Sequence, residues 1–146
     1  MKLRNSIGMP ILAILVGFGM VVSALVLSNT LTYTNQVSGI TLSSTWSDGT
    51  KVLGAENDFT VSYTSPAGTP SAVIIFEFNM TGIVPSVVSL AYWTGTVWVN
   101  TTFTQTSSNT IQGSTMTIPA GASSGGFNYA LWYNAPGTYT MKVWAG

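Results

Sequence analysis

Two kinds of hydrophobic patterning divide the chain near residue 28. From Ile7 to Leu27 runs a stretch of 21 residues that is apolar apart from Pro10, Ser23 and the glycines Gly8, Gly17 and Gly19. As an α-helix rising ~1.5 Å per residue it matches a hydrocarbon core of ~30 Å. From Asn29 onward apolar residues alternate with Ser, Thr and Asn, and clusters of Gly, Pro, Asn and Asp break the runs at short intervals. A period of two punctuated by turn residues is the mark of many short strands. No window after Leu27 shows the 3.6-residue period that a helix needs.

The clearest strand signal is a hairpin over Val87–Phe103 with a two-residue turn at Thr94-Gly95. That turn pairs Trp93 with Thr96, Tyr92 with Val97, Ala91 with Trp98 and Leu90 with Val99. Val88, Leu90, Tyr92, Val97, Val99 and Phe103 then share one face, and Ser89, Ala91, Trp93, Trp98, Asn100 and Thr102 the other. One face comes out apolar and the other mixed, an internal check on the register. A second strand, Ala72–Met80, turns Ile74, Phe76, Phe78 and Met80 inward. A third pair is Phe127–Tyr133 and Thr138–Trp144, joined by Asn134-Ala135-Pro136-Gly137, with Phe127, Tyr129, Leu131, Tyr139, Met141 and Val143 inward. Ile40–Thr45, Phe59–Thr64 and Ser114–Pro119 complete the set. About eight strands suit an all-β, two-sheet sandwich. The expected organisation is a hydrophobic signal or anchor helix over 1–28, a stalk over 29–38, and a sandwich domain over 39–146. Within 29–38, Leu31 and Tyr33 alternate as a strand donated to a neighbouring subunit would; a plain linker is the other reading.

Charge sharpens the reading of the N-terminus. Lys2 and Arg4 are the only cations before Lys51, and they precede the apolar run. This order keeps the N-terminus cytoplasmic and sends the rest across the membrane. A retained anchor and a cleaved secretory signal, with a small-residue site at Val22-Ser23-Ala24, both fit. The run continues past that site through Leu25-Val26-Leu27, which suits an anchor. Ala13 and Gly17, and Gly19 and Ser23, have the small-xxx-small spacing that lets helices approach closely. Either way, the chain from about residue 29 is expected outside the cytoplasm.

Composition removes most chemistry. The 146 residues hold four Lys+Arg, four Asp+Glu, no His and no Cys. Imidazole and thiol catalysis, thiolate metal sites and disulfides are therefore absent. A net charge of zero without a basic run lacks the footprint of nucleic-acid binding. After Leu27 the acids are Asp48, Glu56, Asp58 and Glu77. Asp48-Gly49 reads as a turn, Glu56 and Asp58 share a strand face, and Glu77 points away from Phe76 and Phe78. These are solvated positions; a weak Ca²⁺ site or a glycosidase pair would need more convergent acids. No enzyme activity and no cofactor are expected.

Serine (17) and threonine (21) make up 38 of the 146 residues. Two sequons, Asn79-Met80-Thr81 and Asn100-Thr101-Thr102, place both asparagines on outward faces, as glycan attachment requires. Trp93, Trp98, Trp132 and Trp144 also point outward, as aromatics that touch a neighbouring subunit or a sugar would, or that are simply buried under loops. So little charge leaves little repulsion between copies, which predicts self-association. The lack of Cys, His and charge also suggests tolerance of heat and acid.

Gly137-Thr138-Tyr139-Thr140-Met141 resembles the tyrosine corner of immunoglobulin-like domains, with Met141 where antibody domains keep a cysteine. Pro136-Gly137-Thr138-Tyr139, ending in Lys142-Val143-Trp144, is similar to the last strand of many extracellular immunoglobulin-like modules. The Tyr92–Trp98 hairpin resembles hairpins of prokaryotic surface proteins. The whole layout, an apolar N-terminal helix before one small sandwich rich in Thr, Ser and Asn, resembles archaeal surface filament subunits of the type IV pilin-like and donor-strand kinds. The resemblance implies a non-enzymatic structural subunit of a pilus-like filament or surface layer, polymerising through the apolar segment and sandwich contacts. Single-pass envelope proteins of archaeal viruses share the layout. The alternative is therefore a virion-envelope or cell-surface protein with a glycan-binding or adhesive ectodomain.

Overall fold

A computed structural model describes residues 25–26, 28–35, 39–81 and 88–146. The described chain is all-β, with twelve strands and no helix. They are β1 (Leu25–Val26), β2 (Ser28–Asn35), β3 (Thr41–Ser44), β4 (Lys51–Val52), β5 (Asn57–Ser65) and β6 (Ala72–Thr81). They continue as β7 (Val88–Trp93), β8 (Trp98–Asn100), β9 (Thr104–Ser107), β10 (Thr110–Ile118), β11 (Ser123–Tyr133) and β12 (Thr138–Ala145). Ten form two five-stranded sheets, β2-β12-β6-β10-β9 and β3-β5-β11-β7-β8, while β1 and β4 pair separately. Each neighbouring pair is antiparallel except β2 with β12.

The core is where period-two patterning from both sheets meets. In β6, Ile74, Phe76, Phe78 and Met80 are all 0% exposed, as alternation demands. Phe76 stands edge-on to Tyr129 of the other sheet at 4.8 Å and to Phe59 at 6.1 Å. Tyr133 and Tyr139 meet across the layers at 4.4 Å. These contacts give a sandwich-like pair of layers closed by aromatic rings, which bury large apolar area and prefer edge-on or offset geometry.

Several expectations are corrected. The hairpin connection spans Thr94–Val97, not Thr94-Gly95 alone, and Trp93 pairs with Trp98 and Tyr92 with Val99. A type I′ two-residue turn needs positive φ at both central residues, which a β-branched threonine resists. Only Gly95 takes it (φ 98°), and the Thr94 amide and hydroxyl both donate to the Val97 carbonyl at 3.0 Å. The slip is by two residues, so the paired residues keep their faces, although Val97 falls in the turn at 56% exposed and Phe103 lies beyond the hairpin. The strand expected to reach Phe103 stops at Asn100, where the chain crosses to the other sheet as β9.

β11 and β12 do not pair as a hairpin: β11 lies between β5 and β7, and β12 between β2 and β6. Their inward sets face each other across the core, and Asn134–Gly137 carries the chain over the end of the layers. The Tyr139 hydroxyl donates to the Ala135 carbonyl at 2.6 Å and fixes this corner, the bond described for a tyrosine corner.

Residues 28–35, all but Ser28 within the segment read as stalk, linker or donated strand, form edge strand β2 against β12 of the same chain. The Leu31 amide donates across its outer edge to Asp48 Oδ1 at 2.8 Å. Leu25–Val26, the end of the stretch expected to be helical, is extended and pairs with Lys51–Val52. The rest of that stretch, with Ala13, Gly17, Gly19 and Ser23, lies outside the described residues.

The crossover after Asn100 depends on one missing side chain. A Cβ on Gly113 would lie 2.5 Å from Thr101 Cγ2, 2.9 Å from Phe103 Cδ1 and 3.0 Å from the Thr102 carbonyl oxygen. One obstacle is backbone, so the segment would have to shift bodily. Gly113→Ala is expected to destabilise by about 1–3 kcal/mol, where Ala in a strand ordinarily gains over Gly. The urea midpoint checks this; an unchanged or higher midpoint would show that the crossover is loosely packed.

Candidate functional site

The outer face of the β3-β5-β11-β7-β8 sheet carries three of the four outward tryptophans. Its floor is a row set by the register: Asp58 beside Ala130, Ala130 beside Ala91, and Ala91 beside Asn100. Ala130 is 1% and Ala91 3% exposed, although both face away from the core. Taller neighbours cover them. On one side Trp93 and Trp98 stand opposite each other, rings 5.6 Å apart and tilted by 54°. On the other side Trp132 rises beside Ser89. Trp98 is 49% exposed, an unusual position for so large an apolar ring. The alanines thus lie closed under these side chains, and the openings of this face lie to either side of them.

A hollow lies at each end. One of 350 Å³ is lined by Trp132, Ser89, Asn100, Thr101 and Asn134, among others, with Asn134 Nδ2 donating to Ser89 Oγ at 3.2 Å. The other, 320 Å³, is bounded by Trp98, Asp58, Thr60 and Asn128 and their neighbours. There Thr60 Oγ1 donates to Asn128 Oδ1 at 2.8 Å, leaving the Asn128 amide nitrogen as a donor toward the hollow's wall. Asp58 is exposed and, among the described residues, accepts no side-chain hydrogen bond. A larger hollow of 690 Å³ lies where β8 passes into β9 and is lined by Tyr92, Asn100, Gln112 and threonines. Its lining mixes hydroxyl and amide side chains with apolar surface and, among the described residues, has no indole and no carboxylate.

The remaining expected residues separate. Asn79 is exposed on the outer face of the other sheet, its Nδ2 donating to Thr110 Oγ1 at 3.1 Å. Asn100 is exposed and lines the hollow beside Trp132. Trp144 points away from the core, but it is only 8% exposed. Gly146 packs against its indole and Ile75, tied down by paired backbone bonds with Val73 at 2.7 and 2.9 Å. It therefore offers little surface for contact and stands on the opposite sheet from the other three.

The four acids do not converge. Asp48 takes the Leu31 amide, Glu77 pairs with Lys142 at 3.4 Å, and Glu56 and Asp58 lie exposed along the rim of β5. Among the described residues no three acids gather into a metal cluster. The perturbed groups are structural: burial pushes the phenols of Tyr129, Tyr133 and Tyr139 up, that of Tyr139 to about 12. These rings belong to the core.

Sequence reasoning missed the floor. Ala91 and Ala130 are too small to be singled out, and their burial comes from neighbours that only the register brings together. In comparisons with known proteins, no protein family matches the chain, and no curated protein is similar to it in sequence.

Proposed function

We propose that the chain is a non-enzymatic structural subunit of an extracellular assembly. In this reading an apolar N-terminal segment exports and anchors it, and an immunoglobulin-like sandwich packs against copies of itself at the cell surface. The observation that carries this is the scarcity of charge on a β domain with edge strands. Only four cations and four acids serve 146 residues. Both described lysines are engaged: Lys51 donates to the Ser47 carbonyl at 2.7 Å and lies over the Trp46 ring, and Lys142 pairs with Glu77. Soluble β proteins usually protect sheet edges with free charges, especially lysine. Here the last strand of one sheet, β9, reads Thr-Gln-Thr-Ser, exposed throughout and, among the described residues, paired on one side only. Such an edge is suited to a neighbour. The Tyr139 corner and the crossover it holds support the immunoglobulin-like part of the reading.

Sedimentation velocity of the full-length chain in a mild detergent tests this. Species larger than one chain are expected to grow with concentration, and to shrink when Thr104 and Thr106 on β9 are both replaced by lysine. A single-chain species at every concentration up to the millimolar range would overturn the proposal.

A further inference from the structure

We infer that the folded chain accepts an N-linked glycan at Asn100 and not at Asn79, although each asparagine opens an Asn-x-Thr triplet. The inference rests on the export in the proposed function, since such triplets are modified in secreted chains. It does not rest on assembly. The chemistry sets what an acceptor must offer. The asparagine Nδ2 attacks C1 of the first sugar of a polyprenyl-phosphate-linked oligosaccharide. The N–C1 bond forms as the C1–O bond breaks, the electron pair leaves on the lipid phosphate, and one Nδ2 proton passes to a basic group of the transferase. The amide nitrogen and the second threonine hydroxyl must therefore be open, and the triplet must lift far enough to enter an enzyme cleft.

Asn79 fails these demands. It stands within β6, paired with Thr110 of β10 on one side and Thr140 of β12 on the other. Its Nδ2 is already engaged by Thr110 Oγ1 at 3.1 Å. Met80, the middle residue of its triplet, is 0% exposed in the core, and its amide donates to the Asn109 carbonyl at 2.8 Å. Lifting residues 79–81 would split the sheet on both sides of β6 and carry a core side chain into water.

Asn100 meets them. It is the last residue of β8, a strand that ends its sheet and, among the described residues, pairs only with β7. Its side chain is exposed and, among the described residues, makes no hydrogen bond. Thr101–Phe103 belong to no strand, and Thr102 is exposed. The triplet is held to β7 by the pairing of Asn100 with Ala91 and by the Thr101 amide, which donates to the Leu90 carbonyl at 2.7 Å. Thr101 lays only a methyl group over Gly113, and its hydroxyl is buried without a partner, so opening brings that hydroxyl to water. There is also room. Asn100 lines both the 350 Å³ hollow beside Trp132 and the 690 Å³ hollow where β8 passes into β9, so a sugar on Nδ2 meets open space on either side. Openings at a sheet edge cost less than those within a sheet, and modification of an opened segment follows the population of the open form.

The test is glycan transfer to the purified full-length chain, folded in mild detergent. The reagents are a polyprenyl-phosphate-linked oligosaccharide and an oligosaccharyltransferase that reads Asn-x-Thr alone. Intact mass counts the glycans and peptide mapping locates them. One glycan at Asn100 is expected, with transfer at Asn79 slower by about tenfold or more. Asn100→Gln is expected to abolish the product and Asn79→Gln to leave it, and an unchanged thermal midpoint for Asn100→Gln verifies that its loss is not unfolding. Free peptides of residues 74–84 and 95–105 are expected to accept glycan at similar rates, because no sheet holds either triplet. Comparable rates at Asn79 and Asn100 of the folded chain, or no transfer at Asn100, would overturn the inference. So would peptide rates that differ as much as the sites in the folded chain, because the local sequence and not the fold would then be choosing. The assay supplies donor and enzyme, so its outcome is separate from export: a bare chain from the native source, beside transfer at Asn100 in the assay, counts against export alone.

Discussion

Phe76→Ala is expected to lower the unfolding free energy by about 3–5 kcal/mol, a large part of the ~5–15 kcal/mol that holds a domain folded. Phe76 is 0% exposed at the centre of β6, with Phe59 and Tyr129 packed edge-on from the other layer. Its neighbours in the sheet are Val143 on β12 and Gly113 on β10. Gly113 has no side chain to move into the void, and the crossover segment already lies against it. The cavity would therefore stay largely open, which puts the cost at the upper end. Ile75→Ala, next in sequence but on the outer face, is expected to cost well under half as much. Urea denaturation of both variants checks this, with an unchanged slope showing that only stability has moved. Equal losses for the two would mean that the layers do not close on β6.

The second large effect is alkaline. Tyr129, Tyr133 and Tyr139 are each 0% exposed, and burial raises all three phenols above the ordinary value near 10. For Tyr133 the neighbouring Tyr139 adds to the shift, while for Tyr129 the bond with Thr115 at 3.0 Å partly opposes it. The charged form is the phenolate, so the folded state holds its protons to higher pH than the unfolded chain does. The stability involved is fully present below pH 10 and is lost as pH rises through the folded values, the lowest being Tyr139 at about 12. Each phenol contributes a slope of up to ~1.4 kcal/mol per pH unit in that window, and three together ~4. Urea midpoints are therefore expected to be level up to pH 10 and to fall steeply beyond it, with phenolate absorbance appearing together with unfolding. Tyr139→Phe would flatten the slope by about a third. It would also cost about 1–3 kcal/mol at neutral pH, because the Ala135 carbonyl loses its donor. Phenolate absorbance equivalent to all six tyrosines near pH 10 from a still-folded chain would contradict this account.

The parts of the fold that were legible in the sequence are those set by period-two burial. The inward sets of β6, β11 and β12 follow directly from alternation, because each strand has one face in the core. The faces of the β7–β8 hairpin survived an incorrect turn because the error was an even number of residues. Strand partners were harder to read. Alternation says which side of β11 is buried but not which sheet it joins, so β11 and β12 read as a hairpin although they stand in opposite layers. β9 left no trace, since Thr104, Gln105, Thr106 and Ser107 are all exposed and none is apolar. β2 read as a linker because its pairing is with the far end of the chain, a relation that no local window contains. At the candidate site, Trp93, Trp98 and Trp132 were legible as outward residues. Trp144 was not legible as covered: facing away from the core does not make a ring exposed when Ile75 and the chain end pack beside it.

The claim that the domain works packed against its own copies is tested most directly by negative-stain electron microscopy of the native source, with antibody to the sandwich domain as the label. The account predicts label on regularly repeating filaments or lattices at the cell or particle surface. Label confined to single, dispersed molecules, in membrane or in solution, would contradict it.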